Sequence, residues 1–533
     1  MFATLAACVG AMPPPPDLQV TSPERGLVQG TAGRVVVEGV ARPGPSGAVV
    51  TRVDVNRVRA ALAPDGSFTA EVELPPGATL LETVASAGDG GVATDVRAVQ
   101  IGELRPVGSS IPRAVTTSLS AASLARLAQA AGPIVASADL AGMLAPLQPM
   151  ADLGDSLANV KLSITGLSYG DVRFTLVPVE GGLTFTAELD RLDVGATAAY
   201  GGVLVIDGSK AVRATADRVT IAGTLAVTPA ATSGFTVAIV APRVGTTNLR
   251  LHASGLVGDI LDLLNDNLAA TIQDVTTRSA ALALQPLINQ AFGALAGPQR
   301  FDVLGQQLEL TAAPAAVTFS PAGAAVTLDL AAAIGGSEGS PGYVYTPNGT
   351  PTLALGDGVQ VGLADDLVNE LLAEIHAIGL LDLHLEEDLG VFDTIDIHPT
   401  LPPMVSADAA DGSLRLVLGD MIASFSDDGT EVIRAALNAQ VELQVRRGRT
   451  PDEIALEFGS VRLFVNLVDP ATGEASGGGA GVADAAAGGI ALQLDSLTQF
   501  LIKVPVPSVA GVALDRLALR ADSGYVVMSG ALR

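Results

Sequence analysis

Between Val160 and Leu251 the chain alternates apolar and polar residues in run after run. Among them are Lys161-Leu162-Ser163-Ile164, Val172 to Leu176, Leu183 to Thr186, Val203 to Ile206, Val219 to Val227 and Phe235 to Val240. A strand turns successive side chains to opposite faces, so these period-two runs describe half-buried antiparallel strands. The period then changes. Leu256, Ile260, Leu264, Leu268, Ile272 and Val275 recur at steps of three and four, with Asp259, Asp262, Asn265, Asp266 and Asn267 between them. That spacing predicts a long helix over Leu256 to Leu295 with a broad apolar stripe, ended or kinked near Gln285-Pro286. A helix of this length needs an extended apolar partner, and the strands on both sides are the obvious one. Laid along a curved sheet, such a helix builds an elongated pocket for a lipid.

The flanking segments divide the chain. Val35 to Val37, Val49 to Val55, Ser67 to Leu74 and Leu80 to Ala85 are short strand candidates between turns such as Pro64-Asp65-Gly66 and Pro75-Pro76-Gly77. Proline presets φ and glycine permits positive φ in such turns, so residues 17–104 read as a small β-sandwich. Asp65-Gly66-Ser67-Phe68 with Pro76-Gly77 resembles the bacterial Ig-like modules of exported proteins, which imply a spacer. Ile111 to Pro149 switches period and predicts one or two amphipathic helices broken at Gly132-Pro133. In the second half, Leu308 to Leu330 predicts strands around the Pro321-Ala322-Gly323 turn. Leu363 to Ile378 predicts another amphipathic helix, with Leu363, Leu367, Leu371, Ile375 and Ile378 on one face. Strands return at Leu380 to Glu386, Leu414 to Leu418, Val432 to Arg446 and Ile454 to Val468. The predicted class is α+β: two pseudo-repeated lobes, 105–300 and 301–533, each a long helix packed on a twisted antiparallel sheet, after the all-β sandwich.

Charge narrows the partners. Thirty basic residues against 56 acidic ones give a net charge of −26, which repels phosphate backbones. Aromatics are 3% and tryptophan is absent, so base-stacking platforms are excluded as well, and no nucleic-acid partner is expected. Hydrophobic residues reach 48% while charged ones are 16%. No uninterrupted apolar run approaches the ~18 residues of a membrane-spanning helix, so the excess apolarity suits large cores or an internal cavity.

Cys8 is the single cysteine, so no intrachain disulfide forms. Leu5-Ala6-Ala7-Cys8 resembles the lipobox of bacterial lipoproteins, whose cysteine becomes the acylated N-terminus. Seven residues precede it, fewer than a basic region plus an apolar region of ~7–15 residues require. Pro13 to Pro16 read as a stiff tether behind it. These residues predict an exported chain held by a lipid at Cys8 to an outer-membrane, periplasmic or cell-surface location.

Chemistry-bearing motifs are few. Gly154-Asp155-Ser156-Leu157 spells the signature of GDSL-type esterases, but its preceding residues do not read as a strand and no Asp-x-x-His follows. A nucleophilic serine without a base is inert, so esterase chemistry is the minor alternative. His376, His384 and His398 lie near Asp382, Glu386, Glu387 and Asp396, without the close His pair of a helical metal site. They read as surface histidines. No metal, cofactor or catalytic residue is assigned.

A resemblance follows from the order of elements. The long helix with Leu284-Gln285-Pro286-Leu287, the segment Leu363 to Leu372 followed by Gly379-Leu380-Leu381, and the tail Leu517 to Gly530 resemble the bactericidal/permeability-increasing and lipopolysaccharide-binding protein family, within the tubular lipid-binding superfamily. The likeness covers about residues 110–533. Two departures matter: the family's animal members carry a disulfide in the first half, and those that bind lipopolysaccharide use basic tips. The resemblance implies non-enzymatic binding and transfer of lipids, with acyl chains held by Ile260, Leu264, Leu268, Ile272, Leu367, Leu371 and Ile375. The alternative is a surface structural or adhesion lipoprotein whose lobes are solid and bind another protein.

Overall fold

The computed structural model describes residues 13–30, 33–136, 149, 151–154, 159–202, 205–230, 234–253, 297–303, 306–355, 358–386, 393–407, 414–447, 454–468 and 514–532. Strand makes up 71% of the described residues, which corrects the α+β expectation to a nearly all-β architecture among them. The cause is local. The alternating runs do not stop between the segments read as separate strands but fuse into strands of 21 residues (Gly182–Gly202) and 26 residues (Val205–Ala230). Two α-helices stand among the described residues: α1, Ala121–Ala136, and α2, Asp365–Ala377. Ile111–Ser120, expected to be helical, is a strand paired on both sides, as suits its β-branched Val115-Thr116-Thr117. The helix α1 begins only after it and runs on through Gly132-Pro133. The long helix predicted over Leu256 to Leu295 lies outside the described residues.

The N-terminal strands form a sandwich. One sheet orders Asp17–Ser22, Gly33–Arg42, Ser67–Leu74 and Ala61–Leu62; the other orders Leu27–Gln29, Val92–Ile101, Gly77–Ala87, Val50–Val55 and Val58–Arg59. Val20, Val37, Phe68 and Val72 from the first meet Val53, Leu81 and Val99 from the second in one buried core. Gly39 makes the tight approach. A Cβ there would stand 2.3 Å from the Gln19 carbonyl oxygen and 2.7 Å from the Phe68 ring. Gly39→Ala is therefore expected to destabilise the sandwich by about 1–3 kcal/mol, read as a lower urea midpoint for the full chain.

Three larger sheets, with a two-stranded pairing of Glu103–Arg105 and Tyr343–Tyr345, make the body among the described residues. A central seven-stranded sheet orders Gly297–Val303, Gln306–Ser320, Gly323–Ile334, Ile111–Ser120, Val359–Ala364, Tyr525–Leu532 and Leu514–Asp522. It thus draws strands from both sides of residue 300. A long-strand sheet (residues 151–252) packs against one part of it, and a distal sheet (residues 383–468) against another. The main core lies between the central sheet, α2 and the distal sheet, with Ile111 and Ile334 meeting Leu372 and Ile375, then Phe425 and Leu437.

The sandwich is fastened to the distal sheet by buried polar groups. Arg25 reaches Asp95 at 3.0 Å and Asp420 at 2.9 Å, while Arg97 pairs with Asp95 at 3.0 Å. Asn466 accepts from the Val96 N–H at 3.1 Å and donates to the Thr94 carbonyl at 2.9 Å. Polar groups taken out of water need such partners, and here each lobe supplies them to the other.

Candidate functional site

The long-strand sheet has two unlike faces. On one, Arg173 bonds Glu188 at 3.1 Å and Asp190 at 2.9 Å, and Arg218 bonds Asp190 at 2.8 Å. The hydrogen bond from Arg218 holds the Asp190 carboxyl below the usual carboxylate range, with the charges of Arg173 and Arg218 adding to it. Arg213 pairs with Asp193 farther along. This charged ladder marks the solvent side.

The other face is apolar. Its near end closes on the central sheet, where Leu183, Phe185, Leu225 and Val237 pack with Phe319, Val326, Leu328 and with Leu124 of α1. Phe174 stacks at 6.2 Å from Phe185, and Gly223 opposite leaves the ring its space, a Cβ there falling 3.1 Å from it. Farther along, Val160, Ala198 and Val212 form a second cluster with Leu162, Ala196, Tyr200 and Leu251 around them. An irregularity joins the two. Arg191 has φ 56°, and both Asp217 and Arg218 opposite are exposed, so the buried positions move from odd to even numbers on both strands together. The apolar residues thereby stay on one face although the sequence parity changes. From Leu183 to Tyr200 the strip has a contour of about 56 Å at ~3.3 Å per residue. Along it Phe174, Leu176, Ile164, Val194, Ile221 and Ile239 remain only half-buried.

The residues expected to line a lipid cavity fall elsewhere. Leu367, Leu371 and Ile375 are buried in the main core. Ile260, Leu264, Leu268 and Ile272 lie outside the described residues, as does Cys8. What the sequence reading missed is the opposite face of α2, which is buried too. Asp366 accepts from the Thr346 N–H at 2.9 Å and Asn348 at 3.0 Å, and Asn369 exchanges two bonds with Val405. Glu370 accepts from the Gly108 N–H at 2.8 Å, and Glu374 accepts from the Ile334 N–H and from Ser337. Burial pushes the Asp366 carboxyl up to about 6. Burial, with the charge of Glu374 adding to it, pushes Glu370 up to about 8, and burial raises Glu374 as well. Acidic residues at i, i+1, i+5 and i+9 beside apolar neighbours were the available signal, whereas the sequence reading assigned only the apolar face of this helix. In the structure α2 is a hub whose side chains cap backbone N–H groups of four separate segments.

The remaining motifs are placed plainly. His384 meets Asp396 at 2.5 Å and His398 meets Asp382 at 2.6 Å, both exposed, while His376 reaches the Pro399 carbonyl at 2.9 Å. Among the described residues no group of three or more His, Cys, Asp or Glu is placed to hold a metal ion. Ala151–Gly154 does form a short strand, paired with Asn159–Ser168, contrary to the sequence reading; Ser156 itself lies outside the described residues.

No protein-family model and no curated protein matches this chain. Among solved structures it is similar to a lipopolysaccharide binding protein at 13% identity and a TM-score of 0.41, over 79% of this chain and 99% of that one. P47 of Clostridium botulinum E1 follows at 9% identity and a TM-score of 0.25, over 80% and 100% of the two chains. P47 from Clostridium botulinum A2 stands at 7% and 0.25, over 79% and 98%. Likeness this low carries no argument about activity, which has to rest on the two-faced sheet.

Proposed function

We propose that this chain binds lipids without covalent chemistry, laying acyl chains along the apolar face of the long-strand sheet. The observation that carries the reading is the half-buried strip from Phe174 and Ile221 to Ile164 and Val194, backed by an opposite face that carries the ion pairs of Arg173 and Arg218 with Glu188 and Asp190 among threonines and alanines. A surface of this kind gains most from an extended apolar partner. Each methylene moved out of water contributes about 0.8 kcal/mol, so ten of them give roughly 8 kcal/mol before ordering costs. No polar chemistry is needed for retention. An acylated Cys8 behind the Pro13–Pro16 tether would hold the strip near a membrane surface after export, which suits a carrier across an aqueous gap.

The test is detergent-free purification followed by native and organic-extract mass spectrometry. The expected result is stoichiometric phospholipid on the wild-type chain. Phe174→Asp and Ile221→Asp are each expected to lower retained lipid by about tenfold or more, because a carboxylate in the strip forfeits methylene contacts and is itself desolvated. Circular dichroism checks that the fold survives, since Phe174 and Ile221 also pack against the buried cluster around Phe185. A wild-type chain that remains empty after incubation with vesicles would sink the proposal and favour the solid-lobed adhesion reading.

A further inference from the structure

A cleft of about 660 Å³ opens where the sandwich meets the distal sheet, and three guanidinium groups line it: Arg52, Arg57 and Arg462. Asp54 and Glu82 are the carboxylates there. In a chain of net charge −26, a cleft in which cations outnumber anions reverses the sign of its surroundings.

The three arginines are held in different ways. Arg52 pairs with Asp54 on its own strand. Arg462 comes from the other lobe, 3.5 Å from Glu82, with its guanidinium 5.2 Å above the Phe464 ring. Arg57 has no carboxylate partner among the described residues. It occupies the second position of the two-residue hairpin that joins Val55 to Val58, at φ 70° after Asn56 at φ 46°. Left-handed geometry at both positions is where Asn-Gly is favoured, and an arginine in the glycine position is strained. The turn is nonetheless fixed. The Asn56 side chain accepts from the Glu82 N–H at 2.9 Å and donates to the Leu80 carbonyl at 3.1 Å. Backbone strain at a charged residue facing a cleft is a reason to look for a ligand.

The two walls are also fixed to each other. Arg462, Phe464 and Asn466 alternate along Ile454–Val468 and so share a face. Asn466 is the residue whose amide clamps the backbone of Thr94 and Val96 in the sandwich. Arginine forks recognise phosphate oxygens through paired N–H donors, and with the turn and both walls fixed only the exposed arginine side chains remain to be ordered on binding.

We propose that this cleft binds a phosphate-bearing ligand, with Arg57 the free fork and Arg52 and Arg462 completing the cradle. The phosphate comes from a soluble phosphomonoester or from a lipid headgroup. The site does not depend on the apolar strip. Titration calorimetry of the full chain with inorganic phosphate and glycerol phosphate, together with flotation on phosphatidic acid and neutral phosphatidylcholine vesicles, tests it. Arg57→Gly is the informative variant, because glycine is the residue that the turn favours and folding is preserved. Binding of either phosphate source by the wild type, weakened about tenfold or more in Arg57→Gly, is expected. Soluble phosphate without vesicle binding assigns a soluble ligand; selective binding to phosphatidic acid vesicles assigns a headgroup. Absence of both, or binding unchanged in Arg57→Gly, overturns the proposal. Phe174→Asp, which empties the apolar strip, should leave phosphate binding intact.

Discussion

Replacing Glu370 by glutamine is expected to stabilise the protein at pH 8–9 and to flatten its dependence on pH. The side chain is fully buried on α2, with Oε1 bonded to the Gly108 N–H and Oε2 without a partner. Its folded pKa is about 8, above the ordinary 4.5, because burial and then the charge of Glu374 disfavour ionisation. A carboxyl raised on folding favours the state that keeps its proton. Its contribution is fully present below pH 4.5 and is lost as pH rises from there through 8. At roughly 1.4 kcal/mol per unit, the linkage is on the order of 5 kcal/mol. Glutamine keeps the acceptor for Gly108 and cannot ionise, but its NH2 inherits the unpartnered place of Oε2. That offsets about 1–3 kcal/mol, leaving a net gain of roughly 2–4 kcal/mol at high pH and, at pH 5 where only about 1 kcal/mol of the linkage has developed, a net loss of roughly 0–2 kcal/mol. Asp366, raised to about 6, and Glu374 push in the same direction in both proteins. Urea unfolding of the two chains from pH 5 to pH 9 measures the difference. Parallel curves would mean that Glu370 ionises in the folded state with no penalty.

The same helix shows how far the sequence could be read. Strand alternation is a local property, and the runs around Leu162, Phe174, Phe185, Leu225 and Val237 are strands as expected. So is the turn between Ser320 and Gly323. The extent of those strands was hidden, because the parity of the apolar positions flips near Arg191 and the flip reads as an end rather than a kink. At α2 the apolar stripe of Leu367, Leu371 and Ile375 gave the helix but not its surroundings. Whether Asp366 and Glu370 meet water or backbone N–H groups is set by the segments at Thr346 and Gly108, which lie 20 and 262 residues away in the chain. The basic cleft is illegible for the same reason: Arg57 and Arg462 stand about 400 residues apart and share a site only once two lobes have docked.

That docking supplies the second large effect, at Asp420. Its backbone sits at φ 43° where the register slips between Leu418 and Met421, so the carboxylate leaves the sheet and turns to the sandwich. One oxygen accepts from Arg25 at 2.9 Å and Asn438 at 3.1 Å; the other accepts from the N–H groups of Gly26 at 2.9 Å and Ala98 at 3.0 Å. Four donors converge on one buried anion. Asp420→Ala removes the carboxylate acceptor of the Gly26 and Ala98 N–H groups, leaves Asn438 only the Val96 carbonyl, and leaves Asp95 as the one carboxylate shared by Arg25 and Arg97. Breaking a buried pair in this way costs about 3–5 kcal/mol. Asp420→Asn should do little better, because its single carbonyl oxygen faces four donors and its NH2 points at two of them. The loss falls on the seam between lobes rather than on either core. The expected signature is therefore earlier proteolytic release of the sandwich, near residue 104, together with an unfolding profile that splits into two transitions. Retention of wild-type protease resistance in Asp420→Ala would show that apolar contact alone holds the lobes together.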